Sequence, residues 1–420
     1  MRVLVIGGGG REHALAWKIA QSPLVKKIYC APGNAGTANV AENIAISANN
    51  IDSLSQFATM SGIRLTVVGP EQPLVRGIVD SFEESGLRIF GPSQRAAEIE
   101  GSKVFCKDLM SKYGIPTARY ETFDSPDKVK LFTKEDEPIV VKASGLAAGK
   151  GVILCRNGNE ARSAIESIMR DKAFGEAGDQ VVVEEFLTGQ EVSLLAFTDG
   201  KTILPLDSAQ DHKAAFDGDK GPNTGGMGAF SPALVFTDEL KEQVLTEIMI
   251  PTVRAMAKEG RPYKGILYAG LMLTQSGPKV LEFNARFGDP ETQPIMMRIK
   301  NDIVPLFEAC IDGKLAEHSL KWKSGSTVCV VMAAKGYPGS YDKGKEVSGL
   351  NSVENEEGTE VFHAGTKIDR GRVLTSGGRV LGVTAMGSNI SIAIRKAYSA
   401  VAKIEWEGIH YRKDIGSKAK

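Results

Sequence analysis

The run Lys279-Val-Leu-Glu-Phe-Asn-Ala-Arg286 sets an acid, an amide and a guanidinium at every second position. In a strand, side chains alternate between faces, so Val280, Glu282, Asn284 and Arg286 share one face and Leu281 and Phe283 the other. Oxygen donors from one acid and one amide suit a hard cation such as Mg²⁺, which takes few protein ligands and completes its shell with phosphate and water. Arg286 then stands ready to clamp a phosphate or carboxylate. A merely solvated polar face would show the same alternation. Here Phe287-Gly-Asp-Pro-Glu-Thr-Gln293 carries the polar density on into a turn, which favours a site.

A second cluster lies upstream. Ser144-Gly-Leu-Ala-Ala-Gly-Lys-Gly151 follows a strand candidate ending in Lys142, so small residues can fold backbone amides over a polyphosphate while Lys142 and Lys150 supply charge. It is not a Walker loop: only three residues separate Gly145 from Gly149-Lys150, and Gly151 replaces the hydroxyl ligand. A β-hairpin flap over nucleotide is the expectation, against the plain reading of a glycine turn. Gly7-Gly-Gly-Gly10 opens a helix after a buried-type strand, a place where N–H groups can receive an anion, although such glycines also make simple tight turns. The dinucleotide fingerprint fails there, because Glu12 or His13 falls where its third glycine belongs.

Residues 207–230 are rich in Gly, Asp and Pro and read as a functional loop too long for a connector. Within it, Asp211-His212-Lys213 can hold an anionic, amine-bearing substrate. His212 is expected to position substrate or transfer a proton, although a lone histidine is more often structural. The chain holds no serine elbow, no HExxH and no cysteine with a base motif. Acyl-phosphate chemistry needs none of these: a carboxylate attacks the γ-phosphate, an amine displaces phosphate, and the protein supplies orientation, metal and positive charge.

The elements that must position these groups fall into three parts. Residues 2 to about 91 alternate apolar strands (Val3–Ile6, Ile28–Ala31, Leu65–Val68, Ile89–Phe90) with helical runs such as His13–Gln21, the rhythm of a doubly wound α/β domain. A helix is expected from Ser93 to Tyr113, with a domain junction near residue 100. Strands at Pro138–Lys142, Val152–Leu154, Val181–Phe186 and Val192–Phe197, with helices at 126–134 and 158–170, predict a small α+β lobe. One helix near 237–259 and two strands complete the middle part. A sheet-rich third domain is expected over 325–420, from Val328–Met332 to a helix at Ile392–Ile404.

At 420 residues, with 51 basic and 51 acidic side chains, the chain has room for two or three cores and no basic stripe for nucleic acid. Five scattered cysteines, no signal-peptide pattern and no apolar run of membrane length predict a soluble, cytoplasmic protein.

The motifs VLVIGGGGREHALAWK, APGNAGTA, TVVGPEQPLVRGIVD, SKVFCKDLMSKYGIPTA, VVKASGLAAGKGV, QDHKAAFDGDKGPNTGGMGAFSP, LEFNARFGDPETQ, FHAGT and TSGGRVLGVTA resemble, end to end, the ATP-grasp superfamily and within it the phosphoribosylamine:glycine ligases. The resemblance implies a Rossmann-like N-terminal domain (1–100), an ATP-grasp domain (101–320, flap lobe about 117–190) and a C-terminal domain (325–420). It implies that ATP, glycine and 5-phosphoribosylamine give glycinamide ribonucleotide, ADP and phosphate through a glycyl phosphate, with Mg²⁺ or Mn²⁺. Carried over by position, Lys103 and Lys142 resemble the phosphate lysines and Gly145 to Gly151, with Lys150, the flap. Glu184, Glu185, Phe186 and Leu187 resemble the segment along the adenine, and Glu191 the ribose acid.

Glu282 and Asn284 resemble the family's metal pair. Arg286, Asp289 and Glu291, with Asp211, His212, Lys213 and Asn223, resemble the wall of the substrate site, which the N-terminal loops bearing Gly9, Arg11, Glu12, Asn34 and Glu71 should close. The catalytic assignments that follow are Arg286, Lys142 and His212.

Two departures stand out: Tyr268–Leu273 offers no further metal acid, and Ala214 stands where many relatives are basic. The chain ends soon after Tyr411–Gly416, the pattern of a single-function form, and a monomer is expected. The alternatives are another carboxylate–amine ligase of the superfamily and a catalytically silent nucleotide-binding protein; glycine-dependent phosphate release separates all three.

Overall fold

The computed structural model describes residues 1–126, 137–147, 151–354 and 356–419. Val3 to Ile6 are buried on both faces, as a central parallel strand requires. Their strand, Arg2–Gly7, is the middle of a five-stranded parallel sheet in the order Glu42–Asn43, Lys27–Pro32, Arg2–Gly7, Leu65–Val68, Ile89–Phe90. The helices Gly10–Ile19, Ile51–Met60 and Ile78–Glu84 alternate with these strands, the doubly wound pattern the sequence predicts.

The single helix expected from Ser93 to Tyr113 is instead two, Gln94–Gly101 and Lys103–Tyr113. Ser102 is extended (φ −136°, ψ 109°), and its hydroxyl accepts the Phe105 N–H, so the Gly-Ser pair ends one helix and caps the next. Gly114, at φ 66°, closes the second in a left-handed turn that a glycine adopts without strain.

The flap lobe is a four-stranded antiparallel sheet in the order Tyr120–Phe123, Val181–Glu185, Ile139–Ala143, Val152–Cys155. The helix Gly158–Met169 covers it and buries Ala161, Ile165 and Ile168 against Val141 and Val183. The helix expected at 126–134 falls, beyond residue 126, outside the described residues. Facing this lobe is a second antiparallel sheet, Ile203–Pro205, Gln190–Asp199, Lys264–Thr274, Gly277–Asn284. The helix expected near 237–259 runs from Asp238 to Lys258, loosened over Leu245–Met249 into a wider turn just ahead of Pro251, which has no N–H to donate.

The 207–230 segment is more regular than its composition suggests. It contains the short strands Gln210–Asp211, Ala214–Phe216, Lys220–Asn223 and Gly228–Ser231. Gly228–Ser231 pairs with Ser326–Ala334 and brings Gln210–Asp211 into the last sheet, which continues through Arg379–Gly387 to Thr359–His363. The C-terminal sheet is therefore not built from residues 325–420 alone. Met227 and Phe230 draw the segment in, because both are fully buried in the core under the helix Ile390–Val401.

Candidate active site

The strand Gly277–Asn284 carries a bulge: Gly270 opposes Glu282 and Leu271 opposes Val280, so Leu281 has no partner. The bulge resets the alternation that sequence predicts. Val280 joins Phe283 in the core, while Glu282 lines a cleft of about 490 Å³ with Asn284 and Arg286.

The facing wall comes from the flap lobe and the helix Lys103–Tyr113. Lys142 donates to Leu281 O at 3.0 Å and pairs with Glu184 at 2.9 Å. Lys107, one helical turn beyond Lys103, takes the other oxygen of Glu184 at 3.0 Å and donates to Thr117 Oγ1 at 2.7 Å. Lys103 donates to Gly145 O at 3.2 Å and has no ion pair among the described residues. Burial lowers the pKa of Lys103 and Lys107.

Among the described residues, seven cations (Arg11, Lys103, Lys107, Lys142, Lys213, Arg286, Arg379) and seven acids (Glu71, Glu100, Glu184, Asp211, Glu282, Asp289, Glu291) line the cleft. Most are spoken for: Arg286 by Glu71 at 3.3 Å and Glu100 at 3.0 Å, Asp289 by Arg379 at 3.1 Å, Glu291 by Tyr268 Oη at 2.7 Å. Glu282 has no direct ion pair among the described residues. Burial raises its pKa, but Lys213, Lys142, Lys103 and Arg286 together hold it below the ordinary carboxylate range.

A carboxylate that stays ionised in a cationic field, with an amide oxygen two residues on, fits a hard divalent cation. No group of three or more His, Cys, Asp or Glu suited to a metal exists among the described residues, so phosphate and water would complete the shell.

The structure brings together Arg11, Glu71, Lys103, Lys142, Gly151, Glu184, Asp211, Lys213, Glu282, Asn284, Arg286, Asp289 and Glu291. Gly145 reaches it through its carbonyl, and Glu191 pairs with Lys213 at 2.7 Å. Lys150 lies outside the described residues. Glu185 is engaged by Arg119 and Lys279, Phe186 is exposed, Leu187 is half-buried and Asn223 is exposed; none lines the cleft.

Three expectations are corrected. Glu12 accepts the Gly9 N–H at 2.6 Å, so the helix opening predicted to receive a substrate anion is filled by the chain's own carboxylate. Asn34 is consumed bracing loops: its amide donates to Gly8 O and His363 O, and its oxygen accepts from Gly36 and Thr37. His212 is fully buried and turned from the cleft, because Asp211 and Lys213 flank it on the opposite face of an extended segment.

Neither His212 ring nitrogen meets a hydrogen-bond partner among the described residues, and burial, then Lys418 and Arg412, lower its pKa to about 4. His212→Phe should therefore leave kcat and every KM within about threefold of wild type, since the ring touches no reacting group. A tenfold rise in a KM would return the histidine to the site.

Sequence reading passed over Glu100, Lys107, Tyr268 and Arg379. Lys107 carried a signal in its i, i+4 spacing from Lys103, and the others are assembled only by tertiary contact.

Two antiparallel sheets that close on a charged cleft, one bearing Lys142 and the other an acid–amide pair, define an ATP-grasp architecture. Residues 101–292 match the model described as Phosphoribosylglycinamide synthetase, ATP-grasp (A) domain, and residues 1–100 and 327–418 match the N and C domains of the same family. The chain belongs to this family.

A phosphoribosylamine--glycine ligase of Rhodopirellula baltica is 53% identical over 425 residues, covering 99% of this chain and 97% of that protein. One of Pseudomonas aeruginosa is 53% identical over 423 residues, covering 100% and 98%. The crystal structure of a phosphoribosylamine--glycine ligase from Thermotoga maritima superposes with a TM-score of 0.83 at 35% identity over 99% of this chain and 100% of that one. The biotin carboxylase domain of Hydrogenobacter thermophilus 2-oxoglutarate carboxylase reaches 0.75 at 18% identity, a likeness of fold alone.

Proposed function

We propose that this chain joins glycine to 5-phosphoribosylamine at the expense of ATP, giving glycinamide ribonucleotide, ADP and phosphate. The observation that carries the reading is one cleft in which Lys103 and Lys142 of one wall face Glu282, Asn284 and Arg286 of the other. A glycine carboxylate oxygen attacks the γ-phosphorus as the bond to ADP breaks. The amine nitrogen then bonds to the glycyl carbonyl carbon, phosphate leaves with the electron pair, and one N–H proton is lost. Lys103, Lys142 and Arg286 hold the phosphoryl oxygens; Glu184 and Glu191 hold the nucleoside end; Asp211, Lys213, Asp289 and Glu291 orient the substrates. Glu282 and Asn284 would hold Mg²⁺ or Mn²⁺, which supplies charge neutralisation at the transferring phosphoryl group.

The division at about residues 100 and 320, the monomeric state and a cytoplasmic site of action belong to the same proposal. No described helix is long and apolar enough to cross a membrane. The deciding experiment is phosphate release from ATP with Mg²⁺, glycine and freshly generated phosphoribosylamine, each omitted in turn, with the product identified by mass. Turnover that ignores glycine would overturn the reading.

Asp211 gives this function a pH signature. Burial raises its pKa and Lys213 opposes; Glu291 and Glu191 tip the balance, Lys418 notwithstanding, and the carboxyl is pushed up to about 7. An acid that binds substrate as a carboxylate loses that form as pH falls, so kcat/KM for the amine should drop as pH falls through about 7. In Asp211→Asn the profile should be flat there and uniformly low. A wild-type profile level from pH 6 to 8 would remove Asp211 from amine binding.

A further inference from the structure

Arg286 is heavily engaged by the protein's own groups. Its Nε donates to Glu71 at 3.3 Å, its Nη1 to Phe287 O at 3.2 Å and its Nη2 to Asn284 Oδ1 at 3.1 Å, and Nη2 also lies 3.0 Å from Glu100 Oε1 in an ion pair. A guanidinium has five N–H donors, so the three hydrogen bonds leave two, one on Nη1 and one on Nη2, and the Glu100 carboxylate stands beside the second. With Glu100 paired to the Nη2 side, the arginine offers a ligand its charge and its Nη1 N–H, not a two-pronged edge.

Glu100 fixes which N–H that is. It lies in the last turn of the helix Gln94–Gly101, buried, and its second oxygen accepts the Ala285 N–H at 2.6 Å. One carboxylate thus grips both the guanidinium and the backbone between Asn284 and Arg286. Without it an Nη2 N–H is released, and the end of the strand loses its brace to the helix.

We propose that Glu100 is a positioning residue for the ligation: by holding Arg286 and the Asn284–Arg286 backbone together, it presents one Nη1 N–H to the reacting phosphoryl or carboxylate group. The inference rests on the functional reading above.

The test is a double-variant cycle in the full chain with Glu100→Gln, Arg286→Lys and both, following phosphate release against ATP and glycine. Glutamine keeps an acceptor for Ala285 but loses the charge that holds the guanidinium. E100Q should lower kcat roughly 10²-fold, the scale of a small misplacement of a catalytic group, with the KM for ATP within about threefold. The double variant should be no slower than R286K, because Glu100 acts through Arg286.

A purely structural role would lower the melting temperature of E100Q while leaving kcat alone and multiplying independently with R286K; either result overturns the proposal. If E100Q does not fold, Glu100→Asp, which keeps the charge but cannot span both contacts, should lower kcat about tenfold. Unchanged kcat there would overturn it equally. Should the wild type use another acid in place of glycine, it is the functional reading that fails, and the same cycle on that acid still decides the role of Glu100.

Discussion

Glu282→Gln should lower ATP- and glycine-dependent phosphate release by roughly 10³-fold, the scale of removing one fixed electrostatic contact from a transition state. The substitution keeps the shape of the side chain and loses only its charge. That charge is the anion on which Lys213, Lys142, Lys103 and Arg286 act together, and among the described residues it is held by no direct ion pair that a neighbour could supply instead. Removing it leaves the cluster more positive. Nucleotide without metal should therefore bind at least as tightly as to wild type, while the divalent-ion concentration for half-maximal activity rises at least tenfold. Nucleotide titration by calorimetry and a metal-activation curve measure the two limbs. Turnover within about threefold of wild type at the same metal concentration would remove Glu282 from the metal site.

How much of this was readable in the sequence depended on range. The parallel sheet was legible because Val3 to Ile6 and Leu65 to Val68 are continuous apolar runs between helical segments, a local signal. The acid–amide pair was legible for the same reason, since Glu282 and Asn284 lie two residues apart on one strand. The bulge was not: periodicity cannot show that Leu281 is skipped, so Val280 was assigned to the wrong face. The short strands between 210 and 231 hide behind glycine and proline: Ala214–Phe216 and Lys220–Asn223 pair only with each other, while Gly228–Ser231, with Gln210–Asp211 beside it, is held by pairing with Ser326–Ala334, about a hundred residues on.

Functional residues failed in the same way. His212, Glu12 and Asn34 have the right chemistry, but the fold turns the first away and employs the other two in capping and bracing. Glu100 sits 185 residues from the N–H it accepts, and Arg379 reaches Asp289 from the last sheet. Such partners are chosen by tertiary structure, and spacing carries no trace of them.

Arg286→Met follows from the same contacts and should damage stability and turnover together. Methionine fills similar volume but leaves Glu71 and Glu100, both largely buried, without the cation between them. Breaking one side of a buried charge cluster costs about 3–5 kcal/mol, and the loss should appear in urea unfolding at pH 8. The pH dependence fixes the cause. Burial, then the nearby Glu71, already act to raise the Glu100 pKa, and Arg286 is the chief opposing charge. With it gone the folded-state pKa rises further above the unfolded value. Stability is then present at low pH and lost as pH rises through the folded pKa, so the deficit relative to wild type should shrink from pH 8 to pH 5. A deficit independent of pH would point to lost packing instead of stranded charge. Turnover at pH 8, measured well below the melting temperature, should fall roughly 10³-fold, because the variant also removes the one guanidinium N–H left for the reacting group. Stability lost with turnover intact would leave Arg286 a brace between helix and strand and nothing more.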